Sequence, residues 1–347
     1  MIVCPHFRDI EYGIIESFNR LGVKVYPFFF SVGMDKWHYI QRFKNKLGFN
    51  VDKFLKKEKL KFNKRLLIEF NKINPDIVYV IQGRWMDAET IKYMKKSTFI
   101  ALYLWDMVSL FPEMIASFAE YNIIYSFDQQ DTNFLKKKGY NVKFKPSGYD
   151  NSVYYPMFVE KEYDIAFVGA MYPERVLILD ELIKTFPNLK WMIYGEYAPT
   201  RKPLNWLKWF LSDRRKYYKN KNIEKEKVNE VYNKSRIVLS IVRDNQKDGW
   251  SSRLTEILGT SSFQLTNYFS SVEKEFSNCL VMYKNLDELK LLIDYYLVHN
   301  EQRDKISKNG YNKAKSKYAD DIINQVIIDD YKIWLRHMGL YEDKLYD

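Results

Sequence analysis

Residues 76–105, DIVYVIQGRWMDAETIKYMKKSTFIALYLW, decide the fold. The two apolar runs in this stretch, 76–82 and 98–105, have the composition and length of buried strands. Residues 87–95 lie between them and have the length and spacing of a helix. A strand, a helix and a second strand in this order predict the repeating unit of a parallel sheet.

The same alternation continues on both sides of this stretch. The other strands predicted in the first half of the chain are residues 1–5, 23–30, 122–126 and 142–145. The helices between them are predicted at 10–21, within the lysine-rich segment 35–73, at 110–120 and at 128–138. The first half is therefore predicted to form a doubly wound parallel sheet.

Residues 145–156, KPSGYDNSVYYP, interrupt the alternation with turn-forming residues and read as a linker. Strands are then predicted at 163–169, 189–194, 236–242, 262–267 and 279–283, and helices from about 173 and at 225–235, 252–258, 285–298, 300–317 and 319–338. The fold class is thus α/β, with two Rossmann-like parallel-sheet domains facing a cleft. The predicted domains are 1–147 and 148–318, with a C-terminal helix, 319–347, that crosses back to the first domain.

Composition narrows the function classes. The chain has 347 residues, with 55 basic against 44 acidic residues and a net charge of +11. This excess permits an anionic ligand or membrane surface but does not require nucleic acid, for which no motif is present. Two cysteines, Cys4 and Cys279, exclude a disulfide framework and fit a reducing cytoplasm. The sequence has no signal-peptide pattern and no apolar run of about 18 residues, so a cytoplasmic protein is expected.

In open α/β sheets, ligands bind beyond the carboxyl ends of the strands. The most informative segment after a strand is 248–259, DGWSSRLTEILG. Ser251 or Ser252 can cap a short helix there, and free N–H groups at a helix start favour a diphosphate. Arg253 adds a guanidinium in the first turn, where the helix dipole repels a cation unless an anion lies between them.

Two acidic residues accompany Arg253. Glu256 lies one turn further along the helix, and its carboxylate suits a pair of ribose hydroxyls. Asp248 precedes Glu256 by eight positions. The competing interpretation of this segment is a surface helix whose charges are solvated.

A second candidate for phosphate binding is the turn after strand 163–169. Gly169 and Ala170 end the strand, and Pro173 suits the first turn of a helix. Backbone N–H groups of such a small-residue turn can approach phosphate, and Arg175 could reach the same group. The alternative is a tight strand–helix turn with a surface arginine, since no G-x-G-x-x-G motif is present.

The stretch SSRLTEILGTSSFQLTNYFSSVEKEF (251–276), followed by 279–318, resembles the donor domain of GT-B glycosyltransferases. It is most similar to the spore-maturation-protein-like branch of glycosyltransferase group 1. The matching residues are Arg253, Glu256 and Gly259, then Glu288, Leu289 and Ile293, and then Arg303, Ile306, Gly310 and Tyr311. Further matches are 163–175, 191–196, 75–83, 101–106, 125–131 and 144–156.

The resemblance implies a glycosyltransferase that uses a nucleotide-diphosphate sugar, with UDP as the expected nucleotide. Glu256 corresponds to the second acid of the branch's E-x7-E pattern, which holds the ribose. Asp248 replaces the first acid with a shorter side chain, so the stereochemical course stays open. The donor site would comprise Gly169, Ala170, Arg175, Ser252, Arg253 and Glu256. No metal ion or other cofactor is expected, because the phosphates would be neutralised by arginines and helix N–H groups.

The expected acceptor is a bacterial surface glycan or its lipid-linked precursor, bound by the first domain. Asp106 follows an apolar strand, and a carboxylate beside Trp105 could have a raised pKa and take a proton from a hydroxyl. His6 follows the first strand and is the second candidate base. The alternative for Asp106 is a helix cap or an exposed loop residue, and the alternative for His6 is an ordinary surface or core residue. Asp9, Glu11 and Arg84 are weaker candidates.

Two segments, 52–65 and 201–226, combine aromatic and basic residues. They suit an anionic membrane surface, so a peripheral position on the inner face of the membrane is open, or they pack on their own domains. Three alternatives to the transferase remain at this stage. They are a nucleotide-sugar 2-epimerase of the same fold, a non-catalytic nucleotide-binding module, and a membrane- or polyanion-associated scaffold.

Overall fold

The computed structural model of the chain describes residues 1–6, 10–31, 51–196, 203–242 and 249–340. Its contacts divide the chain into two compact units. Unit 1 is Met1–Pro146 together with Asp320–Asp347, and unit 2 is Ser147–Ala319.

The described part of unit 1 has six strands: β1 (Ile2–His6), β2 (Pro27–Ser31), β3 (Ile77–Ile81), β4 (Phe99–Leu104), β5 (Ile123–Ser126) and β6 (Val142–Phe144). Its α-helices are α1 (Ile10–Arg20), α2 (Val51–Ile73), α3 (Ala88–Met94) and α4 (Gln129–Lys137). The strands form one parallel sheet in the order β2-β1-β3-β4-β5-β6. Every residue of β4 is buried, which is why that strand reads as a continuous apolar run.

Alternate side chains of the unit 1 sheet point to opposite faces. One face, which includes Val80 and Leu102, packs on Leu66 of α2 and Ile91 of α3. The other face, which includes Ile81 and Ala101, belongs to a second apolar cluster with Ile15 and Phe18 of α1. Helices therefore cover both faces, as expected for a doubly wound sheet.

The last described helix of the chain, α12 (Asp320–His337), belongs to unit 1 and packs on α1. Ile327 is fully buried in the cluster on the α1 face of the sheet. Polar contacts hold the helix at its first turn and past its middle: Arg20 Nη2 donates to Asp321 at 2.6 Å, and the Tyr125 hydroxyl donates to Asp330 at 2.7 Å. The helix thus completes the layer that α1 begins.

The described strands of unit 2 are β7 (Tyr163–Val168), β8 (Trp191–Tyr194), β9 (Ser235–Ser240), β10 (Gln264–Asn267) and β11 (Val281–Tyr283). Its α-helices are α5 (Pro173–Thr185), α6 (Pro203–Phe210), α7 (Lys225–Asn233), α8 (Ser252–Gly259), α9 (Ser270–Phe276), α10 (Leu286–Val298) and α11 (Asn300–Lys317). The sheet is parallel, in the order β11-β10-β9-β7-β8.

Local sequence explains how two of the unit 2 helices begin. Pro173 occupies the first turn of α5, where its missing N–H costs nothing. Asn285 caps α10 by accepting from the N–H of Glu288 at 2.9 Å, and the Glu288 carboxylate accepts from the N–H of Lys284 at 2.7 Å. The predicted fold class, two parallel-sheet α/β domains, is confirmed.

One predicted helix differs in type. Residues 110–120 form two 3₁₀ segments, Val108–Leu110 and Pro112–Glu120, instead of an α-helix. The backbone of Phe111 leaves the helical region between them, and Pro112 supplies no N–H to continue a ladder. The part of segment 35–73 before residue 51 lies outside the described residues. No helix among those described is long and apolar enough to span a membrane.

Candidate functional site

The start of α8 lies beside Gly169, in the turn that follows β7. Ser251 is the N-cap residue and Ser252 begins the helix, but the Ser251 side chain makes no capping hydrogen bond. The helix is held by its buried side: Thr255 Oγ1 donates to the carbonyl of Gly148 at 3.0 Å. A Cβ placed at Gly259 would lie 2.4 Å from the Tyr149 ring, so the close approach requires glycine.

Two guanidinium groups converge on Gly169, directly after β7. A Cβ placed at Gly169 would lie 3.0 Å from Arg253 Nη1 and 3.6 Å from Arg175 Nη1. Within the described residues, Arg253 Nη1 is buried and has no hydrogen-bond partner. Arg175 Nη1 donates to the Ala170 carbonyl at 2.9 Å. Two like charges held this close, one with a buried unsatisfied donor, favour an anion between them.

The backbone at Gly169 lies very close to the backbone at Gly195. Gly195 follows β8 with φ of +152°, and a Cβ there would lie 1.9 Å from the Gly169 carbonyl oxygen. Only glycine fits both the backbone angle and the contact. The Gly169 N–H donates to the Tyr194 carbonyl at 2.9 Å, which fixes the end of β7 against β8.

Glu256 lies one turn after Arg253, and no hydrogen bond or ion pair to its carboxylate is present in the described part of the chain. Burial raises the pKa of Tyr154, and the Glu256 charge adds to the effect. Burial also raises the pKa of Tyr232 to about 12, while Arg253 acts in the opposite direction. Both tyrosines are buried, and they lie near enough to Arg253 and Glu256 for those charges to act on them.

The structure brings together most of the predicted donor residues. Gly169, Arg175 and Arg253 meet at the carboxyl edge of the unit 2 sheet, and Ala170 is the carbonyl partner of Arg175. Ser252 lies in the first turn of the same helix as Glu256. Asp248 lies outside the described residues, so its predicted role stays a prediction.

In unit 1, Asp106 comes two residues after β4. The side-chain amide of Gln82 donates to Asp106 Oδ2 at 2.8 Å. Burial raises the pKa of Asp106, against the opposing effects of the Gln82 hydrogen bond and the Arg84 charge. A partly buried carboxyl with a raised pKa is the environment that a general base near neutral pH needs.

His6 ends β1 and is paired with a carboxylate. The His6 Nδ1 atom hydrogen-bonds the Glu11 carboxylate, which is fully buried, whereas about half of the His6 side chain is exposed. A buried carboxylate that fixes one ring nitrogen leaves the other, Nε2, oriented for proton transfer. His6 and Glu11, which were predicted as separate candidates from the sequence, therefore form one hydrogen-bonded pair.

The two remaining weaker candidates from the sequence are Arg84 and Asp9. The Arg84 guanidinium lies over the Phe111 ring, 4.6 Å from its centre, and 3.6 Å from the Glu113 carboxylate. Asp9 lies outside the described residues. Among the side chains that the structure describes, no group of three or more His, Cys, Asp or Glu could hold a metal ion. The expected metal independence stays a prediction.

Comparison with known proteins bears on the same region. Residues 175–326 match the sequence model of a family described as glycosyl transferase-like, and this range includes Arg175, Arg253 and Glu256. No curated protein matches the chain.

Solved structures resemble nearly the whole chain. A glycosyltransferase from Rickettsia africae ESF-5 is 15% identical with a TM-score of 0.65, covering 96% of this chain and 98% of that one. A trehalose-6-phosphate synthase, studied for glycosyltransfer with retention, is 13% identical with a TM-score of 0.64, covering 96% and 99%. A sucrose-phosphate synthase from Thermosynechococcus elongatus is 11% identical with a TM-score of 0.61, covering 80% and 78%. The fold is that of the GT-B glycosyltransferases.

Three residues near the candidate sites, Gln82, Tyr154 and Tyr232, were not predicted from the sequence. Gln82 directly follows a buried strand and has φ of +70°, which is uncommon for a residue with a side chain. Its position after β3 could have marked it, as it marked Asp106 after β4. Tyr154 and Tyr232 carry no comparable signal, because a buried tyrosine in sequence looks like any core aromatic residue.

Proposed function

We propose that the protein is a glycosyltransferase that transfers a sugar from a nucleotide-diphosphate sugar, with UDP as the nucleotide, to a hydroxyl of an acceptor. The acceptor that we propose is a bacterial surface glycan or its lipid-linked precursor. The branch that the sequence resembles, the spore-maturation-protein-like one, belongs to the same proposal. The match of residues 175–326 to a glycosyl transferase-like family and the GT-B fold both support it.

The observation that carries the proposal is the convergence of Arg253 and Arg175 on Gly169. A diphosphate beside Gly169 would accept from Arg253 Nη1, the buried donor that has no partner among the described residues. It would also separate two like charges that otherwise repel each other. A leaving nucleoside diphosphate gains negative charge as the glycosidic bond breaks, so fixed cations there stabilise the transition state without a metal ion.

Glu256 would hold the ribose in this proposal. The carboxylate is one turn from Arg253, so one helix presents a donor to the phosphates and an acceptor to the sugar hydroxyls. A catalytic role for Asp248, which replaces the first acid of the E-x7-E pattern, belongs to the same proposal.

On the acceptor side, Asp106 is the proposed base. Its pKa is raised by burial, and Gln82 fixes one carboxylate oxygen, leaving the other to accept a hydroxyl proton. The His6–Glu11 pair is the second candidate, because it too presents a proton acceptor at the carboxyl end of a unit 1 strand.

A nucleotide-sugar screen tests the function. UDP-, GDP-, ADP- and CMP-sugars would be added to the protein in thermal unfolding, and a ligand at about 100 Kd adds about 2.7 kcal/mol of stability. We expect UDP-sugars to stabilise the protein and an added acceptor to release UDP. Conversion of a UDP-sugar without acceptor would identify an epimerase instead. Stabilisation without any product would identify a binding module, and no stabilisation by any nucleotide would refute the proposal.

A further inference from the structure

A surface segment of unit 2, residues 203–221, exposes more apolar area than a soluble surface helix needs. We call it the apolar–basic segment; it comprises α6 and the turn that follows. Its exposed apolar side chains, with exposed fractions of 76, 47, 47, 40 and 75%, are Leu204, Trp206, Leu207, Phe210 and Leu211. Isolated apolar side chains on a surface are ordinary, but five within eight positions form a continuous patch.

Helical spacing places these side chains on one broad face. Leu204, Leu207 and Leu211 follow the i, i+3, i+7 pattern, and Trp206 and Phe210 are one turn apart. The Trp206 and Phe210 rings stack with their centres 5.0 Å apart. Two stacked aromatic rings beside three leucines form the kind of face that lies in a lipid–water interface.

Cations border this face. The Arg215 guanidinium lies over the Phe210 ring, 4.1 Å from its centre, and Arg215 Nη1 donates to the Phe210 carbonyl at 2.9 Å. Lys219 and Lys221 are also exposed. None of these three cations makes an ion pair within the part of the chain that the structure describes. The sequence of the segment has six basic residues and one acidic residue.

The segment is anchored to unit 2 by other side chains. Asp180 of α5 accepts from Arg214 Nη2 at 2.5 Å and from the Tyr218 hydroxyl at 2.7 Å. The backbone of the turn joins edge strand β8, where the Lys219 N–H donates to the Ile193 carbonyl at 2.9 Å. The turn is therefore held in place by contacts that leave the exposed apolar side chains free for another surface.

We propose that the apolar–basic segment docks on an anionic lipid bilayer, with the Trp206–Phe210 face in the interface and the cations against the headgroups. Charge favours an anionic bilayer over a second copy of this chain as the partner of this surface. A second copy of this chain would bring the same six basic residues and a net charge of +11 against themselves. An anionic headgroup layer complements both the apolar face and its basic border. The inference does not depend on the transferase activity.

Vesicle sedimentation tests the inference. Wild-type protein would be mixed with vesicles of phosphatidylcholine alone or with about 30% phosphatidylglycerol, at low and high salt. We expect sedimentation with the anionic vesicles only, decreasing with salt. Arg215→Gln with Lys219→Gln and Lys221→Gln should lower the partition coefficient about 10²-fold, because each cation near the surface contributes about 5-fold.

The aromatic face has a matched control. Trp206→Ala with Phe210→Ala should lower partitioning by about 10-fold. Tyr93→Ala with Phe134→Ala removes two unit 1 side chains that are 46% and 43% exposed, and should not change it. Far-ultraviolet circular dichroism and urea midpoints would establish that all variants fold.

Three results would overturn the inference. One is wild-type protein that stays in solution with anionic vesicles. Another is equal sedimentation of the Trp206→Ala, Phe210→Ala variant and the wild type. The third is a concentration-dependent dimer, seen by sedimentation velocity, that forms in the wild type and is lost in the same variant, with no binding of the wild type to vesicles. This face would then be a contact between copies of the chain. Nucleotide stabilisation measured on these variants reports the donor site separately, because the vesicles carry neither donor nor acceptor.

Discussion

The variant Arg253→Met tests whether the Arg253 guanidinium serves to bind a ligand or to stabilise the fold. Arg253 Nη1 is buried beside Gly169 and lacks a partner among the described residues. An unsatisfied buried donor costs about 1–3 kcal/mol, and more if it is charged. Methionine has a similar length and no polar group to satisfy. We therefore expect the ligand-free variant to have a free energy of unfolding equal to that of the wild type or higher by up to about 2 kcal/mol.

Nucleotide binding should change in the opposite direction. A hydrogen bond to a charged group contributes about 1.5–3 kcal/mol, so Arg253→Met should weaken nucleotide binding by about 10- to 150-fold. At a nucleotide concentration of about 100 times the wild-type Kd, a 100-fold weaker complex gains only about 0.4 kcal/mol, against about 2.7 kcal/mol for the wild type. Urea unfolding with and without nucleotide measures both quantities in one experiment.

A matched control is Arg236→Met in the same unit. Arg236 is half exposed and pairs with Asp164 at 3.2 Å, and an exposed pair of this kind contributes about 0–1 kcal/mol. That variant should keep its stabilisation by nucleotide. The reasoning fails if Arg253→Met loses more than about 1.5 kcal/mol without ligand, because the guanidinium would then be structural. It also fails if the variant retains the full stabilisation by nucleotide.

Three further perturbations test other parts of the account. Gly169→Ala places a Cβ 3.0 Å from Arg253 Nη1, and overpacking of about 1–3 kcal/mol should weaken nucleotide binding by about 5- to 150-fold in calorimetry; unchanged affinity would argue against a ligand there. Burial lowers the pKa of Lys145 to about 8, against the raising effect of Asp320, so between pH 8 and 10.5 the unfolded chain binds more protons than the folded chain. The free energy of unfolding of the wild type relative to that of Lys145→Met should therefore rise by about 2 kcal/mol from pH 7 to 9.5, and a difference between the two proteins that does not change with pH would contradict this. Asp106→Asn keeps the Gln82 contact and removes the base, so kcat should fall about 10²–10⁴-fold with donor affinity unchanged, whereas a normal kcat would transfer the role to His6.

The sequence predicts the element types well where the hydrophobic pattern is unambiguous. The run 99–104 is buried on both faces, and its uninterrupted apolar sequence indicates this directly. The order of the strands does not follow from the pattern, because β1 lies between β2 and β3 through contacts that are distant in sequence. Residues 112–120 have an apolar spacing that suits an α-helix, yet they form a 3₁₀ helix that begins at Pro112, after the backbone of Phe111 has left the helical region.

The candidate site was partly predictable for a geometric reason. Gly169 and Arg253 each lie at or beyond the carboxyl end of a predicted strand, and parallel strands bring such positions to one edge. What the sequence does not contain is the direction of each side chain. The approach of Arg253 Nη1 to Gly169, and the pairing of His6 with the buried Glu11, depend on packing that no local pattern specifies.

The most direct test of the central claim is a calorimetric titration of the nucleoside diphosphate that most stabilises the wild type. Glu256→Ala removes the carboxylate proposed to hold the ribose, and Glu301→Ala removes an exposed carboxylate elsewhere in unit 2 as the control. Our account predicts that Glu301→Ala binds like the wild type and that Glu256→Ala binds about 10- to 150-fold more weakly. Equal affinity of Glu256→Ala and the wild type would contradict the proposed donor site.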